Sequence, residues 1–425
     1  MKAMLSYLIS HISYLSIMTS IQLKKNKQAF NVQIPLAASK SESNRALIIN
    51  ALTGFKSDIQ NLASARDTQT MIRLLAANDT TADVLDAGTT MRFLTAYFSA
   101  TNQPKLMTGT ARMCQRPIGI LVDALRQIGV EIEYQAIEGY PPHQIKGFIE
   151  QKSDSVTIRG DVSSQYISAL LMIAPVLPKG LTINLTGEIG SKPYIEMTLQ
   201  QMAFFGIETE INWDAKYLKV APQTYQPKRY QVESDWSGAS YWYSMVALAA
   251  EAEVELLGLK ENSLQGDSAI VEIMEVLGVK STFNDRGVVL TKIPAQTTLT
   301  YDFTDCPDLA QTVAVCCSAK QIPAIFTGLE SLKIKETDRV MALQNELQKI
   351  GGDLVEVESC TKYEVKPASN RNNTPTFETY DDHRMAMAFA PLSMLMDVEI
   401  EEPMVVVKSY PSFWDDMKKV VEIEG

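Results

Sequence analysis

Charged and hydroxyl side chains recur at the beginnings of apolar helical segments in this sequence. SKSESNR places Lys40, Ser41 and Arg45 there, GTTMR places Arg92 just after Gly88, VSSQ places Ser163, Ser164 and Gln165, and YDDHR places His383 and Arg384. A helix start already attracts anions through its unpaired N–H groups and its dipole, so a cation there is unfavourable for the helix itself. Repeating that cost at several helices points to anionic ligands. Further candidates are Arg116 in RMCQRPIG, Lys335, Glu336 and Arg339 in KIKETDR, and Lys408 near the end of the chain. Each also has a plainer reading. One basic residue near a helix start is ordinarily a solvated surface group, KETDR matches an exposed helical ladder of charges, and Asp308, just after Cys306-Pro307, stands where a helix cap would. Recurrence at corresponding positions favours the ligand reading.

Those positions correspond because the chain repeats. Amphipathic helices closing with glycine and running into a strand recur at VDALRQIG, LQQMAFFG, EIMEVLG and LQNELQKIG; Gly129, Gly206, Gly278 and Gly351 are 77, 72 and 73 residues apart. The glycine takes the left-handed conformation past the helix end, and alternating residues such as VEIEY follow. A more apolar helix repeats in register, with Arg92, Tyr166, Ser240, Ala310 and Arg384 spaced by 74, 74, 70 and 74 residues; the first step, from Arg45 to Arg92, is shorter. Helices apolar on nearly every face are buried, and each of the six is expected to carry a Ser, Thr, Asp or Asn cap. Six copies predict six α/β units forming two lobes of three. The boundaries fall near Ala38 and Ser234, so one lobe is 1–38 plus 235–425 and the other 39–234; the N-terminal strand, Ile21 to Gln33, completes the first.

The chain has 425 residues, 46% of them hydrophobic and 21% charged, enough for two full cores. With 39 basic and 50 acidic residues the net charge is -11, which argues against a nucleic-acid or anionic-membrane binder held by its overall charge. Five cysteines, Cys114, Cys306, Cys316, Cys317 and Cys360, show neither disulfide nor zinc-ligand spacing. They predict a reducing cytoplasm, with Cys316 and Cys317 in the core. Apolar stretches fall short of a membrane span, predicting a soluble protein. Residues 1–17 are read as an upstream extension from a mis-called start, with Met18 the more natural beginning.

PLAASKSESNRAL, LDAGTTMR, RMCQRPIG, VSSQYISALLM, SKPYIEMTL, KIKETDR and DDHRMAMAFA, in this order, resemble the signatures of the 5-enolpyruvylshikimate-3-phosphate synthase family, from about Gln22 to Pro411. The resemblance implies the enolpyruvyl transferase fold, an inside-out α/β barrel: two similar lobes of three repeated units, with buried helices surrounded by sheets, closing over substrate. It implies transfer of the enolpyruvyl group of phosphoenolpyruvate to the 5-hydroxyl of 3-phosphoshikimate, with release of phosphate, in the shikimate pathway to chorismate and aromatic amino acids. No metal and no cofactor is expected, and the chain is read as a monomer.

By the same resemblance Lys40, Ser41, Arg45, Ser163, Ser164, Gln165, Ser191, Asp308, Ser331 and Lys335 bind 3-phosphoshikimate. Lys40, Gly88, Arg116, Gln165, Arg339, Arg384 and Lys408 hold phosphoenolpyruvate, whose phosphate and carboxylate suit guanidinium forks and point charges together. Asp308 accepts the proton of the attacking hydroxyl, Lys335 assists, and Glu336 donates a proton to the methylene carbon, for which a raised pKa is expected. Arg92 organises the cleft and His383 positions its neighbours; Tyr194 in SKPY reads as packing or as contact. Ala38, Asp86, Phe93 and Ser331 depart from the family's usual glycine, asparagine, proline and asparagine. Glyphosate, the family's inhibitor, competes for the phosphoenolpyruvate position, and Gly88 leaves room for it. Two alternatives are a UDP-N-acetylglucosamine enolpyruvyl transferase, disfavoured because Cys114 lies in a different motif from that enzyme's reactive cysteine, and a non-catalytic anion-binding relative.

Overall fold

The computed structural model describes residues 19–370 and 374–425; the proposed extension at 1–17 lies outside them. Among the described residues the helices come in six pairs. In chain order they are α1 (Lys40–Leu52) and α2 (Arg66–Ala76), α3 (Gly88–Ala100) and α4 (Gly119–Ile128), α5 (Ser164–Ile173) and α6 (Lys192–Phe204), α7 (Trp236–Leu248) and α8 (Ile270–Val276), α9 (Ala310–Lys320) and α10 (Arg339–Gln348), α11 (His383–Phe389) and α12 (Phe413–Met417). The first of each pair is the apolar one: every residue of α7 and α11 is buried. Helices with no polar face must be covered all round.

The chain divides into two compact units. The first comprises the residues through Ala37, Ser234–Glu261 and Asp267–Gly425; the second comprises Ala38–Glu233 and Asn262–Gly266. Each has its own apolar core. In the second, α1, α3 and α5 pack on one another; in the first, α9 packs on both α7 and α11.

The repeat has one grammar. Leu299–Asp302 crosses through α9 to the parallel strand Ala324–Thr327; α10 follows, then the hairpin Asp353–Glu358 and Lys362–Lys366, which pairs antiparallel. Parallel neighbours need such a crossover, and hairpins do not. Thr81–Asp83 with Lys105–Thr108, and Ser155–Arg159 with Leu181–Thr186, repeat it. Three sheets are completed from far along the chain. Phe30–Pro35 lies parallel to Ala252–Leu257, Ser20–Leu23 pairs antiparallel with Val398–Glu401 and Ile423–Glu424, and Arg229–Gln231 lies parallel to Asp58–Gln60. The single N-terminal strand expected over Ile21 to Gln33 is therefore two strands in two sheets. Between them the polar run KKNKQ turns, Asn26 Oδ1 accepting from the Gln28 amide at 2.6 Å.

The four repeat glycines have φ of 109°, 88°, 95° and 72° at Gly129, Gly206, Gly278 and Gly351, the left-handed region the sequence pattern requires. Side-chain caps form at four of the six apolar helices: Ser39, Ser163, Asp235 and Asp382 accept from the amides of Glu42, Gln165, Gly238 and Arg384. The caps expected for α3 and α9 do not form, because these helices begin after Ala87 and Leu309. A 3-10 turn, Pro307–Leu309, leads into α9. Asp308 in that turn turns its carboxylate to other partners.

Candidate active site

In the first unit the partners of Asp308 are cations. Arg339 opens α10 with its side chain buried, and its fork is divided among three carboxylates: Nε donates to Asp382 at 2.7 Å, Nη1 to Asp308 at 2.9 Å and Nη2 to Glu336 at 2.8 Å. Arg384, in the first turn of α11, donates from Nη2 to the other oxygen of Asp308 at 2.8 Å. Lys335 Nζ is 3.7 Å from Asp308, and Lys408 Nζ is 3.5 Å from Glu336. The exposed-ladder reading of KETDR and the cap reading of Asp308 both give way to this cluster.

Its electrostatics follow from the contacts. Burial by itself would raise the Asp308 carboxyl, but Arg384, Lys335 and Arg339 outweigh it and hold the group well below the usual carboxylate range. Burial lowers the Lys335 ammonium, with Arg339 and Arg384 adding to the effect and Asp308 opposing it. The Arg339 guanidinium is raised, since Asp382, Glu336 and Asp308 overcome the cost of its burial. A carboxylate so held is an anion at neutral pH, and with those cations in place it binds a proton only weakly.

Four positions in this cluster were not singled out by sequence. Asp382 caps α11 and also fixes Arg339. Arg384 is further oriented by Tyr241 and Ser237, each at 3.4 Å, and Ser237 in turn donates to the buried Asp267. Asp382 sits directly before His383 in a quoted motif and was within reach of a sequence reading; nothing nearby in sequence links Asp267 to Arg384. His383 is buried beside Asp382, its Nδ1 3.7 Å from the carboxylate. Ser331 lies in the 3-10 segment Glu330–Ile334 that precedes Lys335.

In the second unit Lys40 begins α1 and pairs with the buried Asp67 of α2 at 3.2 Å, another partner the sequence reading passed over. Arg45, one turn on, is fully enclosed. It donates to Thr198 Oγ1, the Ser41 carbonyl, Ser168 Oγ and the Tyr194 carbonyl, and lies over the Phe93 ring at 5.3 Å. Burial lowers its guanidinium to about 10, so it stays charged at neutral pH. The Phe93 departure thus supplies an aromatic face to a cation, and Tyr194 serves through its backbone.

Gly88 opens α3 against two guanidinium groups: a Cβ there would stand 2.5 Å from Arg92 Nη1 and 2.9 Å from Arg116 Nη1 and Nη2. Arg92 donates to the Pro117 carbonyl at 3.1 Å, and Arg116 Nη1 to the Asp86 carbonyl at 3.5 Å. Ser163 caps α5, Ser164 begins it, and Gln165 Nε2 donates to Thr89 Oγ1 of α3 at 3.0 Å. Ser191 precedes α6 with a left-handed φ of 53°. Lys40, Arg92, Arg116 and Gln165 are thus fixed by a few contacts each from helix starts. Among the described residues no helix is long and apolar enough to cross a membrane, and no group of three or more His, Cys, Asp or Glu is placed to hold a metal ion.

The family model for EPSP synthase (3-phosphoshikimate 1-carboxyvinyltransferase) matches residues 73–417. A 3-phosphoshikimate 1-carboxyvinyltransferase of Bacteroides fragilis is 49% identical over 388 residues, covering 91% of this chain and 94% of that protein. One of Cellvibrio japonicus is 36% identical, covering 92% and 96%. A solved EPSP synthase from Acinetobacter baumannii superposes with a TM-score of 0.75 at 17% identity, covering 96% of this chain and 100% of that one. This last similarity establishes the shared two-lobed α/β fold.

Proposed function

Because the chain belongs to the EPSP synthase (3-phosphoshikimate 1-carboxyvinyltransferase) family, we propose that the two clusters described above divide the work of that transfer. The enzyme moves the 1-carboxyvinyl group of phosphoenolpyruvate to 3-phosphoshikimate, a step of the shikimate pathway to chorismate and aromatic amino acids. Lys40, Ser41, Arg45, Ser163, Ser164, Gln165, Ser191, Ser331, Lys335 and Asp308 are assigned to 3-phosphoshikimate. Lys40, Gly88, Arg116, Gln165, Arg339, Arg384 and Lys408 are assigned to phosphoenolpyruvate. The enclosure of Arg45 supports a part in shaping its pocket as much as direct contact.

Asp308 accepts the proton of the 5-hydroxyl as that oxygen attacks C2 of phosphoenolpyruvate, Lys335 assisting through hydrogen bonding. Glu336 gives a proton to C3 as the double bond is consumed, leaving a tetrahedral adduct. Loss of a proton from the new methyl group and of phosphate from C2 then restores the enol ether. The observation that carries this reading is the Arg339 fork, which joins the acceptor Asp308 and the donor Glu336. When the substrate anion takes Arg339 and Lys408, Glu336 gains an anionic neighbour in place of two cationic ones, a change that favours its protonated form. No metal or cofactor is assigned.

Five cysteines, all free, support a cytoplasmic location, and a monomer is proposed. The test is phosphate release from phosphoenolpyruvate with 3-phosphoshikimate or UDP-N-acetylglucosamine as acceptor. Release with 3-phosphoshikimate alone, lost in both Asp308→Asn and Glu336→Gln, is expected. Release with neither acceptor from the folded protein would overturn the reading.

A further inference from the structure

Asp86 lies on the loop between the strand Thr81–Asp83 and α3, and it faces two arginines in two ways. Its backbone carbonyl accepts from Arg116 Nη1 at 3.5 Å, while its carboxylate accepts from Arg66 Nη2 at 2.8 Å. The loop is tightly made: Leu85 has φ of 57°, its carbonyl accepts from the Thr110 amide at 2.9 Å, and the Ala87 amide donates to Val84 at 3.1 Å. α2 holds it at both ends. Arg66, the first residue of that helix, takes the Asp86 side chain, and Arg73, near its end, donates to the Asp83 carbonyl at 2.7 Å. Immediately beyond the loop Gly88 fits without a Cβ against Arg92 and Arg116.

A carboxylate on the residue whose carbonyl already accepts from Arg116 can compete with an incoming anion for that guanidinium. Opposite charges within about 4–6 Å pair, and the pairing is worth more where water is partly excluded. From this geometry, and resting on the assignment of Arg116 to phosphoenolpyruvate, we infer that Arg66 is a positioning residue: it holds the Asp86 carboxylate to α2 so that Arg116 presents its charge to the substrate. Asp86 and Arg66 thus work as a pair. The acidic departure is accommodated because α2 begins with the cation that restrains it.

Steady-state kinetics of Arg66→Ala, Asp86→Asn and the double variant test this. Arg66→Ala is expected to raise the KM for phosphoenolpyruvate about fivefold, with kcat and the KM for 3-phosphoshikimate unchanged, and Arg66→Ala/Asp86→Asn to return it toward the parent value. A structural role for Arg66 would not be relieved by neutralising Asp86. An unchanged KM in Arg66→Ala, or an equal rise in the single and double variants, would overturn the inference. If Arg66→Ala does not fold, Arg66→Gln, whose amide keeps much of the stem, carries the same comparison. Arg116→Ala separates the two levels. If it leaves the KM for phosphoenolpyruvate unchanged, the site assignment fails and takes the inference with it; a normal Arg116 effect with no Arg66 effect sinks the inference alone.

Discussion

Glu336 accepts from Arg339 Nη2 at 2.8 Å, three residues before it in the chain. The arginine belongs to α10 and the carboxylate to the segment just before it, so the backbone that starts the helix also sets the distance between the proposed proton donor and the fork. Replacing Glu336 by Gln keeps an oxygen for Arg339 and removes the transferable proton. The expected result is a fall in kcat of about 10²- to 10⁴-fold with little change in the unfolding midpoint. Equal losses of kcat and stability would instead mark Glu336 as structural.

Arg339 has a second duty, since it neutralises Asp382, which is fully buried. Arg339→Ala leaves that carboxylate enclosed without its closest cation and is expected to cost about 3–5 kcal/mol, read from urea unfolding. Arg339→Lys retains the charge but can satisfy only part of the three-way fork. It is expected to recover most of the stability and little of the activity.

At Gly88 the demand is steric. A methyl group there would stand 2.5 Å from one guanidinium and 2.9 Å from another, so Gly88→Ala must displace Arg92 and Arg116. A displacement of that kind is expected to raise the KM for phosphoenolpyruvate about tenfold or more, while the KM for 3-phosphoshikimate stays near its parent value. An unchanged phosphoenolpyruvate KM would place Arg116 outside the substrate's reach.

His143 gives a pH dependence unconnected with the chemistry. Burial, assisted by Arg126, lowers its pKa from the ordinary 6.5 to about 4. Above pH 6.5 the imidazole is neutral whether the chain is folded or not, and stability does not depend on it. Between 6.5 and 4 the unfolded chain binds a proton that the native one refuses, so stability falls with falling pH, by about 3 kcal/mol across the window. Urea midpoints of the parent and of His143→Gln should converge toward acid; parallel curves would show that His143 does not titrate as described.

The repeat was legible because glycine after an amphipathic helix is nearly obligatory where φ must be positive, and Gly129, Gly206, Gly278 and Gly351 all have it. The apolar helices were legible for a similar reason: a segment such as QYISALLMI has no polar face to show to water. The proposed binding and catalytic positions came from short motifs, each close in sequence. What escaped were the groups that hold those residues from a distance. Asp382 reaches Arg339 over 43 residues, Asp67 reaches Lys40 over 27, and Asp267 reaches Arg384 through Ser237. Side-chain pairs between separate helices leave no period in the sequence. The split of the N-terminal strand escaped as well, since both halves alternate and only the lysine-rich turn between them divides them.

The two N-terminal strands also set a timetable for synthesis. Ser20 and Phe30 leave the ribosome early, yet their partners Glu401 and Ala252 are made far later. Every residue of the second unit, by contrast, has been translated once Gly266 is added. Its core can therefore close around α1, α3 and α5 while synthesis continues. The strands Ser20–Leu23 and Phe30–Pro35 meanwhile have unpaired edges, and the first unit is finished only once the strand Ile423–Glu424 has also been made.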